Sequence, residues 1–254
     1  MTQDTGQEQT TTRTALITGS GLNIGRAIAV RLARDGMNVV INGSRDRAAC
    51  DVTAQAAAEA GGATLVAMGD VGTREGARTV AVQALERFGR VDVLVTNAAI
   101  RPESAFLEMD EAEWDRVLAI NLNSAFWLAR ACLPGMVEAG FGRIITFAGM
   151  NAIHGYKGRA HVSVSKHALW GLTKSLAKEF GPQGITTNIV SPGPIRPEGG
   201  DPAMVAHIRS QEGRIPVGRL GEASEVAATV ALLASDDGAF INGQMLQVNG
   251  GTQT

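Results

Sequence analysis

Lys166 lies in a stretch, 162–171, whose apolar residues recur at helical spacing. Three proton-capable side chains precede it closely: His154, Tyr156 and His161. The chain has only four histidines and one tyrosine, which makes the cluster suggestive. An imidazole exchanges protons near neutrality. A phenol on the loop before that stretch also reaches a substrate, and it exchanges a proton once its surroundings move its pKa. Such a set suits proton transfer to or from a small-molecule substrate. Each of the three also has a plainer reading, as a surface or packing residue.

A second constellation is Gly19-Ser-Gly-Leu-Asn23-Ile24-Gly25. The apolar run 14–18 before it has strand length, and 26–33 after it has helical spacing. Strand, glycine loop and helix start form the arrangement that holds a pyrophosphate. Glycines let the backbone turn tightly and approach the ligand, and the helix start offers unpaired N–H groups and positive dipole. A packing turn without nucleotide is the alternative. The next strand, 37–41, runs into Asn42-Gly-Ser44-Arg45. An acidic residue there would bind ribose hydroxyls, whereas an arginine accommodates a 2′-phosphate. Asp46 falls about one turn too late. Ser44 and Arg45 therefore favour NADP(H), with NAD(H) second; otherwise Arg45 is a solvated residue opening the next helix.

These residues need a scaffold, and the pattern supplies one. Strand-length runs recur at 63–68, 91–95, 143–147, 184–190 and 244–248. Helical stretches alternate with them, at about 46–60, 73–88, 110–137, 162–180 and 222–233. Asp110 and Glu113 suggest a capped helix start, and Pro134 a kink or subdivision. About seven strands alternating with helices, without repeat or linker, predict an α/β fold: one doubly wound parallel sheet covered on both faces.

Bulk properties narrow the partners. The chain has 254 residues, 44% hydrophobic and 19% charged, with a formal net charge of -2. Neither nucleic acid nor an anionic membrane is expected as a partner. No apolar run approaches the roughly 18 residues of a transmembrane helix. The polar residues 1–12 read as a flexible tail and not as a secretory signal. Cys50 and Cys132 read as reduced and structural in a cytoplasmic protein. No Cys/His spacing suggests a metal.

In this order, the motifs resemble the classical short-chain dehydrogenase/reductase family over about residues 13–251, which implies a single-domain Rossmann-type fold. Thr18, Gly19 and Gly25 match its glycine loop, with Asn23 in place of the middle glycine. Asn tolerates left-handed backbone well. Asp70-Val71 resembles the pair beside the adenine, and Asn97-Ala98 the strand end on the nicotinamide side. Asn97 reads equally well as a tie between strand ends. Asn121 resembles the asparagine of the catalytic tetrad, and Pro192-Gly193 with Ile195 the turn that meets the carboxamide. Lys166 matches the tetrad lysine, which holds the ribose. The resemblance also implies a substrate lid over about 197–218.

Two matches fail. Four residues before Lys166 the family has tyrosine and this chain has Val162; thirteen earlier it has serine and this chain has Gly149. The proton donor and the carbonyl-orienting hydroxyl are both missing. His161 adjoins Val162, but helix neighbours point about 100° apart, so it reaches the same place only if the helix start shifts. Three readings follow. The first is a nicotinamide-linked oxidoreductase on a carbonyl or alcohol with a relocated proton donor. The second is a hydrolase, lyase or isomerase acting on a ketone or diketone. The third is a silent nucleotide-binding subunit. Family members pair as homodimers or homotetramers through two long helices. Phe126, Trp127 and Trp170 are candidates for that contact, or equally for the core.

Overall fold

The architecture was read from a computed structural model that describes residues 12–149, 154–199 and 202–254. Of the tail expected over 1–12, only Thr12 falls within it. Seven strands appear: β1 (Thr14–Ile17), β2 (Asn38–Gly43), β3 (Thr64–Met68), β4 (Val93–Thr96), β5 (Gly142–Phe147), β6 (Ile185–Pro192) and β7 (Met245–Val248). They form one sheet in the order β3-β2-β1-β4-β5-β6-β7, with every pairing parallel.

The strands read as continuous apolar runs because both faces are covered. Ala15, Ile17, Val39, Ile41, Val93 and Val95 face one core, with helices α1 (Asn23–Arg34) and α2 (Arg47–Glu59). Leu16, Val40, Leu94 and Ile144 face the other, with α3 (Arg74–Phe88). On that second side follow α4 (Glu111–Leu118), α5 (Ser124–Ala139) and α6 (Ala160–Phe180). Helix α7 (Pro202–Arg209) lies in the expected lid, and α8 (Ala223–Ala234) packs with α1. The order reverses between β1 and β4, where open α/β sheets bind ligands beyond their strand ends.

Two features of the long second-side run differ from expectation. Pro134 sits inside α5 without ending it. The irregularity comes earlier, as a π-helical turn over Ala119–Asn123. This places Asn121 where the helix bulges, a common device at functional sites. The whole run, Glu111–Ala139, is also long and apolar enough to cross a membrane, which corrects the sequence reading. Half of its most apolar window is buried inside the fold, as for a core helix. Trp127 and Trp170 are partly buried against the core, and Trp170 lies under Lys174. Phe126 is 44% exposed.

Candidate functional site

The glycine loop is stapled to its neighbours by short polar side chains. The Thr18 hydroxyl accepts from Ala98 N–H at 3.0 Å. Ser20 Oγ donates to Ile17 O at 2.9 Å and accepts from Asn42 N–H at 3.0 Å. Asn97 Nδ2 donates to Thr18 O and Gly19 O, at 3.0 and 2.9 Å. Asn97 thus ties strand ends together, as its plainer reading held. Gly19 has φ +60°, and a Cβ there would lie 2.9 Å from Ala98 Cα. Asn23 stands in the left-handed region at φ 50°, which explains why Asn serves where the family has glycine.

Loop and strand ends enclose a cleft of about 600 Å³. Its walls include Asn23, Ile24 and Gly25 at one end, and Ser44, Arg45, Asp70 and Val71 at the other. Asp46 caps α2, accepting from Ala49 N–H at 2.9 Å, so its carboxylate is committed to the helix. Among the described residues Arg45 makes no ion pair or hydrogen bond. Asp70 is less free: it accepts from Gly72 N–H at 2.9 Å and pairs with Arg116 at 2.7 Å. The shape and donors fit a dinucleotide. Among the described residues, the start of α1 has no cap from its N-cap side chain, and the buried Asn23 Oδ1 has no partner.

One group already uses that helix start. Glu198 accepts from Asn23 N–H at 2.7 Å and pairs with Arg26. A carboxylate there takes the place of a phosphate, because both answer the same N–H groups and dipole. Removing it, in Glu198→Ala, should tighten NADPH binding about 3- to 10-fold, from the usual worth of such contacts. A calorimetric titration checks this; unchanged or weaker binding would refute the competition.

Beside Ile100, which lines the cleft, Asn121 is the organiser. Its Oδ1 accepts from Ile100 N–H at 2.9 Å, and its Nδ2 donates to Ile100 O at 3.0 Å and to Ser165 Oγ at 3.3 Å. Lys166 follows Ser165 on α6 and is 3% exposed. Its Nζ donates to Phe147 O at 2.7 Å. Burial first, then the charge of Arg101, pushes the Lys166 ammonium down to about 7. An ammonium carries three donors, so two are not engaged by Phe147.

The fold accommodates Val162 and Gly149, the two positions where the resemblance expects tyrosine and serine. Val162 is 1% exposed and fills its place as core. Gly149 has φ +127°, and among the described residues nothing lies within 4 Å of a Cβ built on it. The backbone there has left the region a serine adopts comfortably.

The three proton candidates are not presented alike. Helix α6 begins at Ala160, so His161 lies inside it and does not make the shift that a place in the cleft requires. Its ring is fully buried against α4. Val162 N–H donates to Nδ1 at 3.0 Å, which leaves Nε2 to donate to Glu113 Oε1 at 3.2 Å. The same Glu113 oxygen accepts from Ser104 Oγ at 2.5 Å. Tyr156 is 48% exposed, with the Arg159 guanidinium 4.9 Å from its ring centre. His154 is exposed. Pro192 ends β6; Gly193 N–H donates to Val248 O at 2.9 Å. Ile195 is buried and bridges to Gly221.

Sequence reasoning missed Arg101, Arg116 and Glu198, and it took Glu113 for a partner in the helix cap: Asp110 does cap α4, accepting from Ala112 N–H, but Glu113 meets Ser104 and His161 instead. Arg101 lies three residues beyond Asn97-Ala98, so following the chain a little past that strand end would have found it. Glu198 has no such signal, because its contact depends on how the chain after β6 folds back.

Similarity to known proteins is extensive. Residues 19–253 match the family described as enoyl-(acyl carrier protein) reductase. The acetoacetyl-CoA reductase of Allochromatium vinosum is 36% identical over 241 residues, 94% of this chain and 98% of that protein. The 3-oxoacyl-[acyl-carrier-protein] reductase FabG of Escherichia coli is 36% identical over 242 residues, 93% of this chain and 96% of its own length. Among solved structures, a double Phe→Leu mutant of a Serratia marcescens protein superposes with TM-score 0.87 at 32% identity, covering 95% and 98% of the two chains. Acetoin dehydrogenase from Salmonella typhimurium gives 0.87 at 33%, covering 95% and 96%.

Proposed function

This chain belongs to the short-chain dehydrogenase/reductase family, and on that footing we propose that it is a cytoplasmic NADP(H)-linked oxidoreductase acting on a carbonyl or alcohol with Lys166 as its proton group. One observation carries the proposal: a buried lysine with a pKa of about 7 stands where the tetrad lysine belongs, while the hydroxyls usually beside it are absent. A group near the working pH both gives and takes protons readily. The relatives are reductases by name, which supports redox chemistry.

Bound nicotinamide supplies the hydride. The chain's own residues do the rest. Gly19, Asn23, Ile24 and Gly25 hold the phosphates, and Ser44 with Arg45 receives the 2′-phosphate. Asp70 and Val71 border the adenine; Ala98, Pro192, Gly193 and Ile195 shape the nicotinamide side. Asn121 fixes Ile100 and Ser165, and so positions Lys166. The Lys166 ammonium gives its proton to the carbonyl oxygen during reduction and is recharged from water. Tyr156 and His154, both exposed, are the remaining proton candidates. Two copies or four pair through α5 and α6, with Phe126 in the contact.

Arg45→Ala should weaken NADPH about 10-fold and leave NADH unchanged, the loss of a charge-assisted hydrogen bond. Parallel titrations check this, and equal losses for both nucleotides would place Arg45 elsewhere. The reaction class is tested by following nicotinamide absorbance with a panel of carbonyl compounds. Redox chemistry consumes one NADPH per alcohol formed. A second reading, lyase, hydrolase or isomerase chemistry, is favoured by the missing hydroxyls at Gly149 and Val162; it gives product without net NADPH loss.

A further inference from the structure

Arg101 has no role in the reading above, and its placement is unusual. The residue before it, Ile100, is held at both its N–H and its C=O by Asn121. The same carboxamide holds Ser165, the residue before Lys166. One asparagine therefore fixes the chain next to both cations. Arg101 lines the cleft. The charge of Arg101 acts on Lys166, after burial, to favour its neutral form.

The pair lacks a counter-charge. Among the described residues Arg101 makes no ion pair and no hydrogen bond. The charge acting on Arg101 is that of another cation, Arg159. Arg159 itself is matched by Glu103 at 3.1 Å, so the unbalanced charge is that of Arg101. Arg101 is exposed at the cleft wall while Lys166 is buried, and an unmatched cation on a cleft wall favours a bound anion. Among the described residues nothing crowds the Cβ position of Gly149, two residues beyond Phe147, whose carbonyl holds Lys166.

We propose that Arg101 anchors the carboxylate of an oxo-acid substrate, so that the acid's carbonyl lies against Lys166. A guanidinium matches a carboxylate with two parallel N–H···O bonds, which fixes orientation as well as affinity. Orientation is what the lost serine and tyrosine hydroxyls would otherwise provide. The balance is simple: the carbonyl carbon accepts a hydride, its oxygen accepts the Lys166 proton, the oxo acid becomes a hydroxy acid, and NADPH becomes NADP⁺. The fate of the acid rests on the redox reading; its binding by Arg101 does not.

The test is equilibrium binding to the NADP⁺-loaded protein, in which oxo acids cannot be reduced. The probes are pyruvate and acetoacetate, each against its neutral methyl ester, by calorimetry. The acids are expected to bind saturably and the esters about 10- to 50-fold more weakly, as for loss of a charge-assisted contact. Arg101→Ala should lose that preference, Arg101→Lys should keep part of it, and NADP⁺ affinity should stay within about twofold for both. Equal binding of acids and esters, no binding of either acid, or a preference that survives Arg101→Ala would overturn the proposal. So would a matching loss of NADP⁺ affinity in Arg101→Ala, which would make Arg101 a nucleotide ligand. If the protein takes no NADP⁺ yet prefers the acids through Arg101, the anion site stands and the redox reading falls.

Discussion

Lys166→Met lowers kcat/KM for carbonyl reduction by about 10²- to 10⁴-fold, the usual worth of a general acid. Methionine keeps the length and apolar body of the side chain and removes the proton. The wild-type profile carries a matching signature. Reduction needs the ammonium, whose pKa is about 7. Activity is therefore full below that value and falls as pH rises through it, and the residual activity of Lys166→Met lacks this limb. Stability moves in the opposite sense. The folded-state value lies below the ordinary 10.5. Between the two, the unfolded chain holds a proton that the folded chain has released, so stability rises with pH across that window. Melting curves at pH 7 and pH 9 should show wild type gaining on Lys166→Met. A pH-rate limb that persists in Lys166→Met would mean that another group carries the proton, with Tyr156 next to be tested.

Gly25→Ala abolishes most nucleotide affinity, by about 100-fold, the high end of what overpacking by one methyl costs. The added Cβ would lie 2.4 Å from Gly19 O, 2.7 Å from Ser20 Cα and 2.8 Å from Asn97 Nδ2. The first two are backbone. The third belongs to a side chain that already donates to Thr18 O and Gly19 O. None can yield without lifting the glycine loop off β4, and that loop is what must meet the phosphates. The melting temperature should drop by roughly 2–12 °C, as for 1–3 kcal/mol in a chain of this size. Retained NADPH affinity in a folded Gly25→Ala protein would show that the loop is not the phosphate cradle. Glu198→Ala should act in the opposite direction, which separates loop damage from loss of the competing carboxylate.

The fold was legible because its strands are buried on both faces, so their apolar runs are nearly unbroken and sharply bounded. The nucleotide end was legible for a related reason: glycines, Thr18 and Asn97 act on backbone next to them in the loop and strand ends, so sequence order nearly fixes their geometry. The reaction end was less so. His161 looked available until the start of α6 placed its ring on Glu113, a contact made across 48 residues of sequence. The π-helical turn at Asn121 leaves no compositional mark. Arg101, Lys166 and Glu198 acquire their meaning from groups they meet in space: a second cation, the Phe147 carbonyl and the start of α1. Pro134 misled in the other direction, because α5 continues through it.

The most direct test of nicotinamide-linked chemistry in this cleft is a fluorescence titration of the purified protein with NADPH, then with NADH. Saturable NADPH binding in the micromolar range or tighter, with NADH weaker, is the predicted result. A protein that binds neither nucleotide contradicts the account, and its chemistry would then have to be sought without a nicotinamide in the same cleft.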